Sequence, residues 1–229
     1  MTLTTVIGLV KCWDTTDVHT LISQENIALK IGVLFTGHKK LTNGVTHSLV
    51  QKLEYKMITL YLDMDGVLCN FNKAYTALSG ENTDRKKFRT AVTIHKIFED
   101  LEFMPDAQQL LNHVAKLDKG IRVEILTSMG TYDPFQANEA KSQKMKWLAK
   151  NNIPYPPNFV NAKHEKANFA NDHAILIDDS IGCITPFIEK LGHGIHHVNA
   201  PDSIRLLDST ILQIRALDAL RGDYNAVVS

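Results

Sequence analysis

One short segment constrains the fold of this chain more than any other: an apolar, β-prone run that ends in two aspartates. Residues 58–62 read Ile-Thr-Leu-Tyr-Leu, and Asp63, Asp65 and Gly66 follow within four positions. An unpaired charge is costly inside a strand, so these carboxylates predict that the strand ends here. Open α/β sheets bind ligands at the carboxyl ends of their parallel strands, where two carboxylates can hold Mg²⁺ and one can attack phosphorus. The alternative for this segment by itself is a strand that ends in a solvated aspartate turn.

Two later apolar runs also end in polar residues, which favours the site over the solvated turn. Residues 121–126 lead into Thr127-Ser128, and residues 174–177 lead into Asp178-Asp179-Ser180. Lys166 lies between these runs, in a helix-like stretch over residues 163–170. From Met57 onward, strand and helix patterns alternate, which predicts an α/β fold with a doubly wound, mostly parallel sheet.

The remaining segments divide the chain into two predicted parts. Residues 1–56 carry no recognisable motif and are interpreted as an N-terminal extension, followed by one domain over residues 57–229. Within that domain, apolar spacing predicts helices over three segments: 107–117, 136–151 and 204–214. Between the first two strands, residues 74–102 are charged and predicted to be helical, with Arg85, Lys86, Lys87 and Arg89 clustered.

The ordered set of Asp-x-Asp, Thr-Ser, lysine and Asp-Asp resembles the haloacid dehalogenase-like hydrolases, from about Met57 to about Leu220. The resemblance implies a flavodoxin-like fold and Mg²⁺-dependent phosphatase chemistry. It also implies that the insertion, residues 72–104, is a small helical cap over the active site. The alternative for the insertion is a solvated pair of helices at the edge of the sheet.

The resemblance assigns roles to the four aspartates. It implies that Asp63 is the nucleophile and that Asp65 is the general acid and base, since a phosphatase of this kind uses an aspartate at the second position. It implies Mg²⁺ bound by an Asp63 side-chain oxygen, the Asp65 carbonyl and a carboxylate of Asp178 or Asp179. We favour Asp179 as the direct ligand. The alternative for the Asp-Asp pair is an N-terminal cap on the following helix, and both interpretations can hold together.

Three further residues enter the predicted phosphate site through the resemblance. It implies that Thr127 binds the phosphoryl group, with Ser128 supplying further donors, and that Lys166 neutralises charge. The spacing of Lys166, twelve positions before Asp178, favours it over Lys163. The alternatives are an ordinary strand-to-loop Thr-Ser and a solvated helix lysine.

Two segments, residues 63–71 and 98–107, are similar to 5'(3')-deoxyribonucleotidases and their phage-type relatives. The similarity implies that Phe71 lines a nucleobase pocket and that Lys144 lies near the substrate phosphate. The alternative for Phe71 is a core residue. The insertion departs from the pattern, because Phe88 is followed by Arg89 where the family has a Phe-Trp pair, and His164 stands where an arginine is expected.

Composition narrows the expected partners and compartment. Lysine plus arginine equals aspartate plus glutamate at 25 each, so we expect no duplex nucleic acid and no membrane surface as a partner. The three cysteines are widely separated, which suits a reducing cytoplasm rather than a disulfide framework. The His193–Val198 segment is interpreted as a turn and a short last strand rather than a metal site.

Together these patterns predict a Mg²⁺-dependent phosphomonoester hydrolase that acts on a small molecule, first of all a nucleoside monophosphate. One alternative shares the chemistry but acts on another small phosphate ester or on the end of a polynucleotide. A second alternative, of another class, is a catalytically silent phosphate-binding protein on the same fold.

Overall fold

The structure is a computed structural model, and it describes residues 56–79 and 85–228. The interpretation of residues 1–56 as a separate extension lies outside the described residues, apart from Lys56. Among the described helices, none is both long and apolar enough to cross a membrane.

Five parallel strands form one sheet in the order β3-β2-β1-β4-β5. They are β1 (Ile58–Leu62), β2 (Ile121–Ser128), β3 (Pro157–Val160), β4 (Ala174–Asp178) and β5 (His193–His196). The predicted α/β class with a parallel sheet is therefore confirmed. The short strand predicted near the His193–Val198 segment is also present, as the edge strand β5.

The register of the sheet brings the ends of three strands together. The last residue of β1, Leu62, pairs with Ile125 of β2 and with Ile177 of β4. All five residues of β4 are buried, because it packs against helices on both faces, which explains its unbroken apolar sequence. The residues that follow Leu62 and Ile177 therefore emerge side by side at one edge of the sheet.

The described residues also form six α-helices and one 3-10 helix, which lie between the strands or follow the last one. The α-helices are α1 (Phe71–Ser79), α2 (Arg85–Thr93), α3 (Ala107–Val114), α4 (Pro134–Lys150), α5 (Ile181–Glu189) and α6 (Ala200–Val228). The 3-10 helix spans Lys163–Phe169. Helix α4 begins where the sequence dictates it, because Asp133 accepts a hydrogen bond from the Gln136 N–H at 2.9 Å and Pro134 occupies the first turn.

Apolar side chains pack on both faces of the sheet. One core joins the sheet to α3, α4 and α6, and Trp147 of α4 is fully buried within it. A smaller core on the other face joins the sheet to α5, with Phe187 fully buried. This two-sided packing is the doubly wound arrangement that the alternating patterns predicted.

Candidate active site

A tight turn after β1 aims two carboxylates at the end of the sheet. Asp63 is buried, and Gly66 turns the chain with a φ of 81°. A Cβ on Gly66 would lie 2.2 Å from Oδ2 of Asp179, so only glycine leaves room for that carboxylate. The positive φ and the close approach give two independent reasons for the glycine.

Asp63, Asp178 and Asp179 form an acidic cluster. One carboxylate oxygen from each lies within 4.8 Å of the others. The side chain of Asp178 is fixed by a hydrogen bond that its Oδ1 accepts from the Ser180 N–H at 2.9 Å. Helix α5 has Ser180 as its N-terminal cap residue, so capping does not account for the placement of the two aspartates.

Lys166 of the 3-10 helix reaches into this cluster. Its Nζ lies 2.7 Å from Oδ1 of Asp63 and 2.6 Å from Oδ2 of Asp178, and its side chain is buried. Burial by itself would lower the pKa of Lys166, but the two carboxylates raise the pKa above its ordinary value. The lysine therefore remains an ammonium beside Asp63.

The acidic cluster holds excess negative charge. Burial, reinforced by the charges of Asp63 and Asp178, raises the pKa of Asp179 to about 6. Burial and the Asp63 charge also raise the pKa of Asp178, although Lys166 opposes the shift. A bound cation would stabilise the ionised forms of both groups.

The cluster fits a magnesium ion. Oδ1 of Asp63 is buried, and although Lys166 lies nearby, no donor in the described residues is aligned to give it a hydrogen bond. Such an oxygen is available as a ligand, and Mg²⁺ prefers carboxylate oxygens. Asp63, Asp178 and Asp179 would hold the ion, and a contribution from the Asp65 carbonyl stays a prediction.

Asp65 is tied to a buried lysine of α4. Nζ of Lys144 lies 2.5 Å from Oδ2 of Asp65, and it donates a hydrogen bond to Oγ1 of Thr127 at 2.8 Å. Lys144 and Thr127 are fully buried, and neither lines the cleft described below. The predicted roles of Thr127 at the phosphoryl group and of Lys144 near the substrate phosphate stay predictions.

A cleft of about 380 Å³ opens above these residues. Its polar part is formed by the predicted residues Asp63, Asp65, Lys166 and Asp179. Its apolar part is an aromatic wall, which we define as Phe71, Phe88, Phe98 and Tyr132. A cleft with a charged end and an aromatic wall suits a molecule that has one polar end and one apolar end.

Phe71 lines the cleft and also belongs to an aromatic cluster. Its ring stacks with Tyr75 and with Phe98, with centroid separations of 5.2 Å and interplanar angles of 17° in both pairs. The side chain is half-buried. The core interpretation and the cleft interpretation of Phe71 therefore hold together, and contact with a base stays a prediction.

The loop after β2 forms another side of the cleft. Ser128 lines it, and its hydroxyl donates to the Asn161 carbonyl at 3.2 Å and accepts from the Gly130 N–H at 3.1 Å. These two bonds hold the loop against the end of β3. The predicted role of Ser128 as a donor to the phosphate stays a prediction.

Several cleft-lining residues are not among the predicted site residues, including Phe88, Phe98, Tyr132 and Lys163. For Phe88, the signal is an aromatic residue inside the cationic run 85–89. The spacing to Asp178 favours Lys166 over Lys163, yet Lys163 also lines the cleft, where its Nζ donates to Oγ of Ser180 at 3.4 Å. Phe98 carried no separate signal.

No protein-family profile and no curated protein matches this chain. Among solved structures, it is similar to a hydrolase from Streptococcus pneumoniae TIGR4 at 14% identity and a TM-score of 0.41, over 67% of this chain and 99% of that one. It is also similar to a haloacid dehalogenase-like family hydrolase from Streptococcus pneumoniae at 13% identity and a TM-score of 0.36, over 65% of this chain and 89% of the other. Both similarities are too distant to carry a functional argument, which therefore rests on the site.

Proposed function

We propose that the chain is a phosphomonoester hydrolase that forms a phosphoryl-aspartate at Asp63 and prefers nucleoside monophosphates. The observation that carries the proposal is a buried carboxylate, Asp63, beside the buried ammonium of Lys166 at 2.7 Å and within the same cleft as Asp65. The resemblance of the ordered motifs to haloacid dehalogenase-like hydrolases supports the same chemistry.

In the first step, a carboxylate oxygen of Asp63 attacks the phosphorus atom, and the bond from phosphorus to the ester oxygen breaks. The leaving alkoxide needs a proton, which Asp65 in its protonated form donates. Lys166 reduces the repulsion between the attacking carboxylate and the phosphate because its positive charge lies between Asp63 and Asp178.

In the second step, a water molecule attacks the phosphorus atom of the phosphoryl-aspartate. Asp65 is now ionised and takes a proton from this water, while the bond between phosphorus and Asp63 breaks. Inorganic phosphate leaves, and Asp63 and Asp65 return to their starting forms. One carboxyl group thus acts as acid and then as base.

Bound Mg²⁺ would neutralise negative charge on the phosphate and on the acidic cluster. Asp63, Asp178 and Asp179 are the residues suited to hold it. The chain's own contribution is to keep these carboxylates together at the strand ends, at the cost of raising the pKa values of Asp178 and Asp179.

The aromatic wall supports the preference for a nucleotide. Three of its members, Phe71, Phe88 and Phe98, contact one another at centroid separations between 5.2 and 6.5 Å, and all three line the cleft. Apolar rings offer a nucleobase contacts that a sugar phosphate cannot use, because its remaining surface is hydroxylated.

A substrate panel tests the proposal. Purified protein is assayed for phosphate release from nucleoside monophosphates, sugar phosphates and a 5'-phosphorylated oligonucleotide, with Mg²⁺ and with excess EDTA. We expect release that requires Mg²⁺, is greatest for the nucleoside monophosphates and is abolished by Asp63→Asn. Asp118 does not line the cleft, so Asp118→Asn serves as the control for the same chemical change.

The panel also separates the alternatives. Greater activity on the oligonucleotide or on sugar phosphates would replace the proposed substrate class but leave the chemistry in place. No release from any ester, with wild-type protein that still binds Mg²⁺ and phosphate, would favour a silent phosphate-binding protein.

A further inference from the structure

Lys144 has the features of a functional residue without contact to the cleft. It projects from α4, and its side chain has no solvent exposure. A buried lysine without partners is costly, so its surroundings must account for the charge. The sequence resemblance placed Lys144 near the phosphate, but the cleft is lined by other residues.

The Lys144 ammonium makes its contacts with groups inside the protein. The group has three N–H donors and no acceptor. Nζ lies 2.5 Å from Oδ2 of Asp65 and 2.8 Å from Oγ1 of Thr127, and 4.5 Å from the centre of the Phe98 ring. A carboxylate, a hydroxyl and an aromatic face therefore surround it, and all three of these contacts lie within the protein.

The contacts of Lys144 fix the orientation of Asp65. With Oδ2 held from behind by the ammonium, Oδ1 is the oxygen left to exchange protons in the cleft. The side chain of Asp65 keeps 27% of its exposure and lines the cleft, so the carboxylate has access to the open space. Oδ1 makes a weak contact with Sγ of Cys69, 3.6 Å away.

We infer that Lys144 is a positioning residue for the proposed reaction: it holds Asp65 so that one defined oxygen serves as acid and base, and it does not touch the substrate. This inference rests on the proposed function. It extends that function because it assigns the orientation of Asp65 to a lysine on the buried face of α4. Since the same ammonium bonds Thr127, it also links Asp65 to the end of β2.

The inference predicts a dependence on the leaving group. An alkoxide needs the proton that Asp65 donates, whereas p-nitrophenolate departs without one. Lys144→Met removes the charge and keeps most of the side-chain volume. We expect kcat/KM to fall about 100-fold or more for a nucleoside monophosphate and less than about 5-fold for p-nitrophenyl phosphate, since general acid catalysis is worth about 100- to 10,000-fold.

Two matched variants serve as controls for this measurement. Lys146→Met makes the same change on the same helix at an exposed lysine that pairs with Glu99, and it should leave both rates unchanged. Lys144→Gln retains one donor for Asp65 and should recover part of the loss with the alkyl ester. It also gives a second variant to measure if Lys144→Met does not fold.

A binding measurement separates positioning from direct contact. The rise in melting temperature caused by Mg²⁺ with inorganic phosphate should be the same in Lys144→Met as in the wild type. A loss of that rise, or equal losses of kcat/KM for the two esters, would overturn the inference and leave the proposed function intact. Wild-type protein without turnover of either ester would overturn the proposed function and the inference with it.

Discussion

Asp179→Asn should make the metal-free protein more stable while it removes a proposed metal ligand. The pKa of Asp179 is raised from 3.8 to about 6 by burial and by the charges of Asp63 and Asp178. At pH 7.5, the ionised carboxylate therefore carries about 3 kcal/mol of unfavourable free energy. Because the side chain lines an open cleft, solvent screens part of this, and we expect a gain of about 1–2 kcal/mol in the free energy of unfolding.

The sign of this effect depends on pH. Between pH 3.8 and about 6, the folded state binds the Asp179 proton more tightly than the unfolded state, so wild-type stability falls as pH rises through this window. Asparagine has no such proton. The advantage of Asp179→Asn should therefore be present at pH 7.5 and should vanish as the pH approaches 4.

Differential scanning calorimetry in EDTA measures the effect. A gain of about 1–2 kcal/mol corresponds to a rise of about 2–8 °C in Tm for a chain of this size. Asp118→Asn is the control, because two bonds of 2.7 Å from Arg215 hold the pKa of Asp118 below its ordinary value despite a desolvation penalty. That variant should gain nothing. An Asp179→Asn protein no more stable than the wild type at pH 7.5 would refute the reasoning.

Three further predictions concern the turn at Gly66, the aromatic wall and the loss of stability at low pH. Gly66→Ala should lower the free energy of unfolding by about 1–2 kcal/mol and abolish the Mg²⁺-induced rise in Tm, because the new Cβ would lie 2.2 Å from Oδ2 of Asp179. Gly182→Ala is the calorimetric control, because its new Cβ would have 3.6 Å to the nearest neighbour. Phe71→Ala should lower kcat/KM for nucleoside monophosphates about 10-fold relative to sugar phosphates, and an unchanged ranking in the panel would reject base contact. Burial lowers the pKa of His197, so stability should fall as pH drops below about 6.5, where the unfolded state gains the proton. His197→Gln should make this fall less steep in unfolding curves measured across pH. An equally steep fall in the variant would reject the assignment to His197.

The carboxyl ends of β1 and β4 could be predicted from the sequence, because charged residues mark the points where these buried strands end. A buried strand cannot continue through Asp63-Met64-Asp65, nor through Asp178-Asp179, so the ends of β1 and β4 are visible in the residue types. Parallel strands then place these ends at one edge of the sheet. The resemblance implies a charge-neutralising role for Lys166, and the structure places its Nζ 2.7 Å from Asp63 and 2.6 Å from Asp178.

Local sequence patterns do not predict the other features of the fold and the site. Strand β3 was missed because it has four residues and begins with Pro157, which is tolerated at the start of an edge strand but removes a strand signal. The burial of Lys144 depends on which side of α4 faces Asp65, and the polar sequence of that helix does not specify it. The aromatic wall joins Phe71 to Phe88 across two helices, a contact that neither segment encodes alone.

The phosphoryl-aspartate at Asp63 is the central claim, and acid-quenched mass spectrometry tests it most directly. Protein in excess is mixed with a nucleoside monophosphate and Mg²⁺, quenched within the first turnover, digested and analysed. The account predicts the added mass of one phosphoryl group on the peptide that contains Asp63, and none in Asp63→Asn. Phosphate release in that first turnover with no phosphorylated peptide, and at the same rate in Asp63→Asn, would contradict it.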